Sequence, residues 1–210
     1  MDVKSQIYIS TAFYCYQQFK DERTALDGEI DYSPVISLLS KALELELRKR
    51  FFHSYLRYLC CTFNNDAGKY IAYNNLDPLR NKVVLHKTND EKYEFVDPAI
   101  NDAFTLGSFP YTIANGTHNS DRIYPSAIDY CRDVLFSHDC EIYREDPEEC
   151  KSEIMNWLQK YISEIEIIRP LRNQSSHPNS ILRDVDAVFC QDYTIRVQRL
   201  IDKLIRICVE

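Results

Sequence analysis

Glycine is scarce in this chain: four residues in 210, beside eight prolines, two methionines and one tryptophan. So few glycines form no GxGxxG turn and no Walker-type loop, which excludes dinucleotide and nucleoside triphosphate sites of those two classes. The same scarcity excludes collagen-like, linker-like and low-complexity chains. No window approaches 18 uninterrupted apolar residues, so no membrane-spanning helix and no membrane partner is expected. The opening MDVKSQIYIS lacks the apolar core of a signal peptide, and the expectation is a soluble, cytoplasmic protein. Eight cysteines (15, 60, 61, 131, 140, 150, 190 and 208) form no CxxC pair. Without a signal they read as buried thiols rather than a disulfide framework. Cys131, His138, Cys140 and Cys150 match no closed tetrahedral zinc signature, so neither a metal nor another cofactor is expected.

What is present is globular: 45% hydrophobic and 27% charged residues, enough for a sizeable core in one domain spanning 1–210. The net charge of −7 argues against a uniformly basic nucleic-acid binder. Its distribution is uneven, with −6 over residues 138–168, +3 over 41–57 and +2 over 169–210. A cationic face on an acidic body and a set of solvated helix faces both fit that pattern. Fifteen tyrosines and ten phenylalanines are scattered over helix faces, which favours core packing over base stacking.

Periodicity predicts a mainly α protein, a helical bundle. A first helix is expected over about 3–19, carrying Ile7, Phe13, Tyr14 and Tyr16. Ser33-Pro34 then supplies a hydroxyl cap and a proline at the first helical position, opening a helix expected to reach about Phe63. SAIDYCRDVLF (126–136) is helical, with Ser126 as its cap. Pro147-Glu148-Glu149 opens the longest late helix, with Ile154, Trp157, Leu158, Tyr161, Ile165 and Ile168 as its apolar stripe. Pro170 should kink it near 166–170, and the residue before Pro178 should end it by His177. A last helix is expected over about 180–209. Between 64 and 124 the pattern breaks into an irregular, loop-rich insertion, in which KVVLHK (82–87) and KYEFVD (92–97) suit a short β-hairpin.

One constellation stands apart: Leu171-Arg172-Asn173-Gln174-Ser175-Ser176-His177-Pro178, between two long amphipathic helices. With ISLLSKALELELRKRFF (36–52) as an earlier core helix, it resembles the Arg-X4-6-His motif of the HEPN superfamily. The resemblance covers about 33–63 and 126–210. It implies a HEPN-like bundle that forms a homodimer and brings two motifs into one composite site. It further implies a metal-independent endoribonuclease of defence or toxin–antitoxin systems, with RNA and an antitoxin or regulatory protein as partners. Some members of the superfamily keep the fold without the activity, which leaves a catalytically inactive RNA- or protein-binding module as the alternative.

The chemistry suits those residue types. Histidine titrates near neutrality and can take or give a proton, and arginine offers a permanent planar fork to phosphorane charge. Arg172 is therefore assigned to charge stabilisation, His177 to acid/base work or positioning of the 2′-OH, and Asn173 to orientation. In a regular helix Asn173 and His177 share a face, at i,i+4, whereas Arg172 and His177 do not. The bland alternative makes Arg172 a helix-end cation and His177 a cap for last-turn carbonyls. Arg48, Lys49 and Arg50 of the RKRFFH tract, together with Arg183, are candidate RNA contacts. Arg196, Arg199, Lys203 and Arg206 follow one another at steps of three and four, either along an RNA path or on a solvated face.

Overall fold

The computed structural model describes residues 1–23, 31–55, 58, 105–110, 113, 127–137, 146–175 and 187–208, with the backbone of 85–87 and 93–95. The protein is a mainly α helical bundle. The described elements are α1 (Val3–Arg23), α2 (Ser33–Glu46), a π-helical continuation (Leu47–Phe52), strands β1 (Leu85–Lys87) and β2 (Tyr93–Phe95), α3 (Ala127–Tyr130) with a second π-helical stretch (Cys131–Leu135), α4 (Pro147–Ser175) and α5 (Ala187–Ile207). The chain divides into two units, one of residues 1–46 and 161–206, the other of 47–160 and 207–210.

Aspartates two and one positions ahead of α2 and α4 open these helices. Asp31 accepts from the Ser33 N–H and from the Ser33 hydroxyl, so Ser33 is the capped residue and not the cap. Asp146 accepts from the N–H groups of Glu148 and Glu149, each at 2.9 Å, and satisfies two orphan donors beside Pro147. The expected cap Ser126 lies outside the described residues, as do the expected start of the last helix before Ala187 and nearly all of the 64–124 insertion. Within the insertion, β1 and β2 pair antiparallel with Leu85 opposite Phe95, His86 opposite Glu94 and Lys87 opposite Tyr93.

In the first unit α1 packs on α2. The face of α1 that does so is Ser5 and Ala12, with Tyr16 and Phe19 flanking the ring of Tyr32 at centroid distances of 6.2 and 5.9 Å. Ile7, Phe13 and Tyr14, which the periodicity reading put on a helical stripe, point outward. The small side chains of Ser5 and Ala12 decide the packed face, because they let two helix backbones approach closely. Val35, Ile36, Leu39, Ala42 and Leu43 of α2 complete a core with Tyr161, Ile165 and Ile168 of α4 and Tyr193, Val197, Leu200, Ile201 and Leu204 of α5. The Tyr161 hydroxyl donates to the Leu200 carbonyl at 3.0 Å, giving the buried phenol its partner.

In the second unit the chain after Glu46 widens into π-helix, an i→i+5 arrangement that apolar spacing does not announce. Phe51 and Tyr55 there stack with Phe109 and Tyr130, the Phe51 ring lying 4.7 Å from Phe109 and 5.5 Å from Tyr130, both edge to face. The Tyr130 hydroxyl donates to the Phe51 carbonyl at 3.3 Å, and Phe136 meets Trp157 edge to face at 5.2 Å. Pro170 has no N–H and so leaves the carbonyl four positions earlier without its helical donor, but the helix is not ended there. Helix α4 continues through this exposed proline to Ser175.

Candidate functional site

The buried positions of α4 in the first unit are Tyr161, Ile165 and Ile168, at steps of four and three. One further step of four reaches Arg172, so helical geometry sends this arginine to the core-facing side of the last turn. There it meets α2. The Arg172 Nε lies 2.9 Å from Glu44 Oε1, and its Nη2 donates to Glu44 Oε2 at 3.4 Å, a forked contact between residues 128 positions apart. The side chains are 26% and 13% exposed, so the pair is shielded without being sealed off. Nη1 also donates to Oδ1 of the neighbouring Asn173 at 3.4 Å, and the Ser175 hydroxyl donates to the Arg172 carbonyl at 2.9 Å. The latter satisfies one of the orphan carbonyls of the helix end.

One turn earlier on α2, Ser40 donates to the Ile36 carbonyl at 2.7 Å. That uses its single proton, so in the 2.6 Å contact between Ser40 Oγ and the Tyr193 hydroxyl it is the tyrosine that donates. Burial is the main cause that raises the Tyr193 phenol well above its ordinary value; the Glu44 charge adds to the rise, while the Arg172 charge opposes it. Tyr193 is therefore a neutral donor that ties α5 to α2 beside the ion pair. Glu164 of α4 and Arg196 of α5 form a third polar link, Oε2 to Nη1 at 3.1 Å.

The structure thus brings Arg172 and Asn173 together at the end of α4, with Asn173 exposed. His177 and Arg183 lie outside the described residues. Arg48, Lys49 and Arg50 fall in the π-helical stretch of the second unit, where Arg48 and Arg50 are half-buried and Lys49 is exposed. Glu44 was legible in the sequence only as an acid on a helix face. The signal that could have drawn attention to its partner is the 161-165-168-172 spacing, which places a cation on a buried line where it needs a counter-charge.

Among the described residues no group of three or more His, Cys, Asp and Glu side chains is placed to hold a metal ion. Cys15, Cys131, Cys150, Cys190 and Cys208 are free thiols. Burial pushes the Cys190 thiol up to about 12 and the Cys131 thiol well above its ordinary value, which disqualifies both as nucleophiles near neutral pH. No described helix is long and apolar enough to cross a membrane. No family model matches the chain, and neither the curated proteins nor the solved structures yielded a match.

Proposed function

We propose that the chain is a metal-independent endoribonuclease of HEPN type, working as a homodimer in which two Arg172–His177 motifs share one cleft. Arg172 carries the reading. A guanidinium held by a carboxylate fork in the last turn of a long helix, with a quarter of its side chain open to solvent, suits a group that must meet phosphate in a fixed orientation. In the reaction the ribose 2′-oxygen attacks the adjacent phosphorus while its proton passes to a base, and the bond to the 5′-oxygen breaks as that oxygen is protonated. His177 is the residue assigned to proton transfer, Arg172 stabilises the charge on the non-bridging oxygens, and Asn173 orients. Cytoplasmic defence or toxin–antitoxin systems, with an antitoxin or regulatory partner, are the setting this reading implies.

The Glu44 contact supports a second reading, a catalytically inactive module that binds RNA or protein. A guanidinium already matched by a carboxylate gains less from a phosphate than one without a counter-charge. The two readings part on an end-labelled RNA pool treated in EDTA with wild type, Arg172→Ala, His177→Ala and Glu44→Gln. For the enzyme, cleavage is expected from the wild type, is lost in the first two variants and falls in the third, because Arg172 loses its orientation. For the module, no protein cleaves, and Glu44→Gln tightens RNA binding by releasing the arginine.

A further inference from the structure

Helix α5 carries Arg196, Arg199, Lys203 and Arg206 on successive turns of one face, a row about 15 Å long by helical rise. The first three line a depression of about 300 Å³ beside α4, together with Ile195 and the acids Glu164 and Asp192. Glu164 is engaged by Arg196 at 3.1 Å. Arg199 and Lys203 are exposed, and among the described residues neither forms an ion pair. The row is thus cationic in a chain whose net charge is −7, and Ile195, 38% exposed, adds an apolar contact at its edge.

We infer that the Arg196–Arg199–Lys203 depression between α4 and α5 binds the phosphodiester backbone of single-stranded RNA, as a subsite separate from Arg172. The inference rests on the ribonuclease reading, since it supplies that site with a track for its substrate. Cations repeated at steps of three and four along a helix axis match a polymer with a charge on every unit, whereas a single small anion needs convergent donors. Flexible, hydrated lysine and arginine heads on an exposed face favour sequence-independent backbone contact over base readout. Asp192, in the same depression, opposes an anion there and gives the surface an element whose removal acts in the opposite direction.

The test uses the full chain and a fluorescent 2′-O-methyl oligoribonucleotide, which cannot undergo 2′-OH attack, so binding is read without cleavage. Arg199→Gln/Lys203→Gln is expected to weaken binding about tenfold at low salt and to reduce the salt slope by about 1.4, the loss of two single-strand phosphate contacts. Asp192→Asn is expected to tighten it about twofold to threefold, a gain that simple structural damage does not produce. Lys20→Gln/Lys41→Gln removes the same charge from exposed positions elsewhere in the first unit and is expected to leave the slope in place. Equal affinities and slopes for all four proteins, or no binding by the wild type, would overturn the subsite. A polyglutamate competitor whose binding follows these variants while RNA binding does not would also overturn it, in favour of an acidic protein. If the slope follows the α5 variants yet no RNA is cleaved in the EDTA assay, the subsite stands and the nuclease reading falls. If Arg172→Ala abolishes cleavage while the α5 variants bind like wild type, the reverse holds.

Discussion

Within each unit, taken by itself, the contacts that accompany the buried apolar core differ in kind. In the first, each of three helix contacts carries a polar link: Tyr193 to Ser40, Arg172 to Glu44, and Arg196 to Glu164. In the second, rings form the centre, with Phe51 against Tyr55, Phe109 and Tyr130 and Tyr55 against Tyr130, beside the hydrogen bond of Tyr58 to Asp133. Rings bury area and tolerate small shifts, whereas hydrogen bonds and forked ion pairs fix the angle at which side chains meet. The first unit is therefore the place where a guanidinium can be held in a set orientation, and the second is the place to look for bulk stability.

That contrast breaks most readily at Phe51. Phe51→Ala removes the ring at the centre of the aromatic cluster and should cost about 3–5 kcal/mol in chemical denaturation. A loss below about 1 kcal/mol would mean that the rings are not the second unit's main support. Glu44→Ala strands a partly buried guanidinium and is expected to cost about 1–3 kcal/mol, between exposed and fully buried pairs. Sharpening the comparison further, Arg172→Ala/Glu44→Ala together should cost less than the sum of the single variants, and strict additivity would show the pair to be uncoupled. Tyr193→Phe removes a donor while Ser40 keeps its bond to Ile36, so a smaller loss of about 1 kcal/mol is expected from the same measurement.

Smallest near neutral pH, and visible only in alkali, is the effect of the buried acids. Cys190 is raised from 9.0 to about 12, so the folded chain holds a proton that the unfolded chain gives up. Its contribution to stability is complete below about pH 9 and is lost as pH climbs from there towards 12. Tyr193 and Tyr130, also raised by burial, act in the same direction at higher pH. Thermal midpoints should decline from about pH 9 upward, and Cys190→Ala should flatten the first part of that decline. A midpoint indifferent to pH in that range would contradict the burial of these groups.

Helix existence was legible because the apolar steps of α2, α4 and α5 follow the α period through good helix formers. The packed face of α1 was not, since Ser5 and Ala12 lie beneath while Val3, Ile7 and Tyr14 face outward, the reverse of a simple apolar stripe. The caps were misplaced by one or two residues at α2 because Asp31 reaches past Tyr32 to both donors of Ser33. The π-helical turns at 47–52 and 131–135 had no sequence signature, because a shift from i→i+4 to i→i+5 bonding changes hydrogen-bond partners without changing residue types. At the candidate site, Arg172 and Asn173 stood out by their setting between two helices. Glu44 did not, because a contact across 128 residues is written in tertiary packing and not in local spacing.

The most direct test of the account is the chemical identity of the ends formed when wild type and Arg172→Ala meet the same end-labelled RNA in EDTA. The account predicts 2′,3′-cyclic phosphate ends from the wild type and a loss of about 10²–10³ in rate for a well-folded Arg172→Ala, the size of effect expected when one charge-stabilising donor is removed. Intact RNA with the wild type, or equal cutting by the variant, would contradict it.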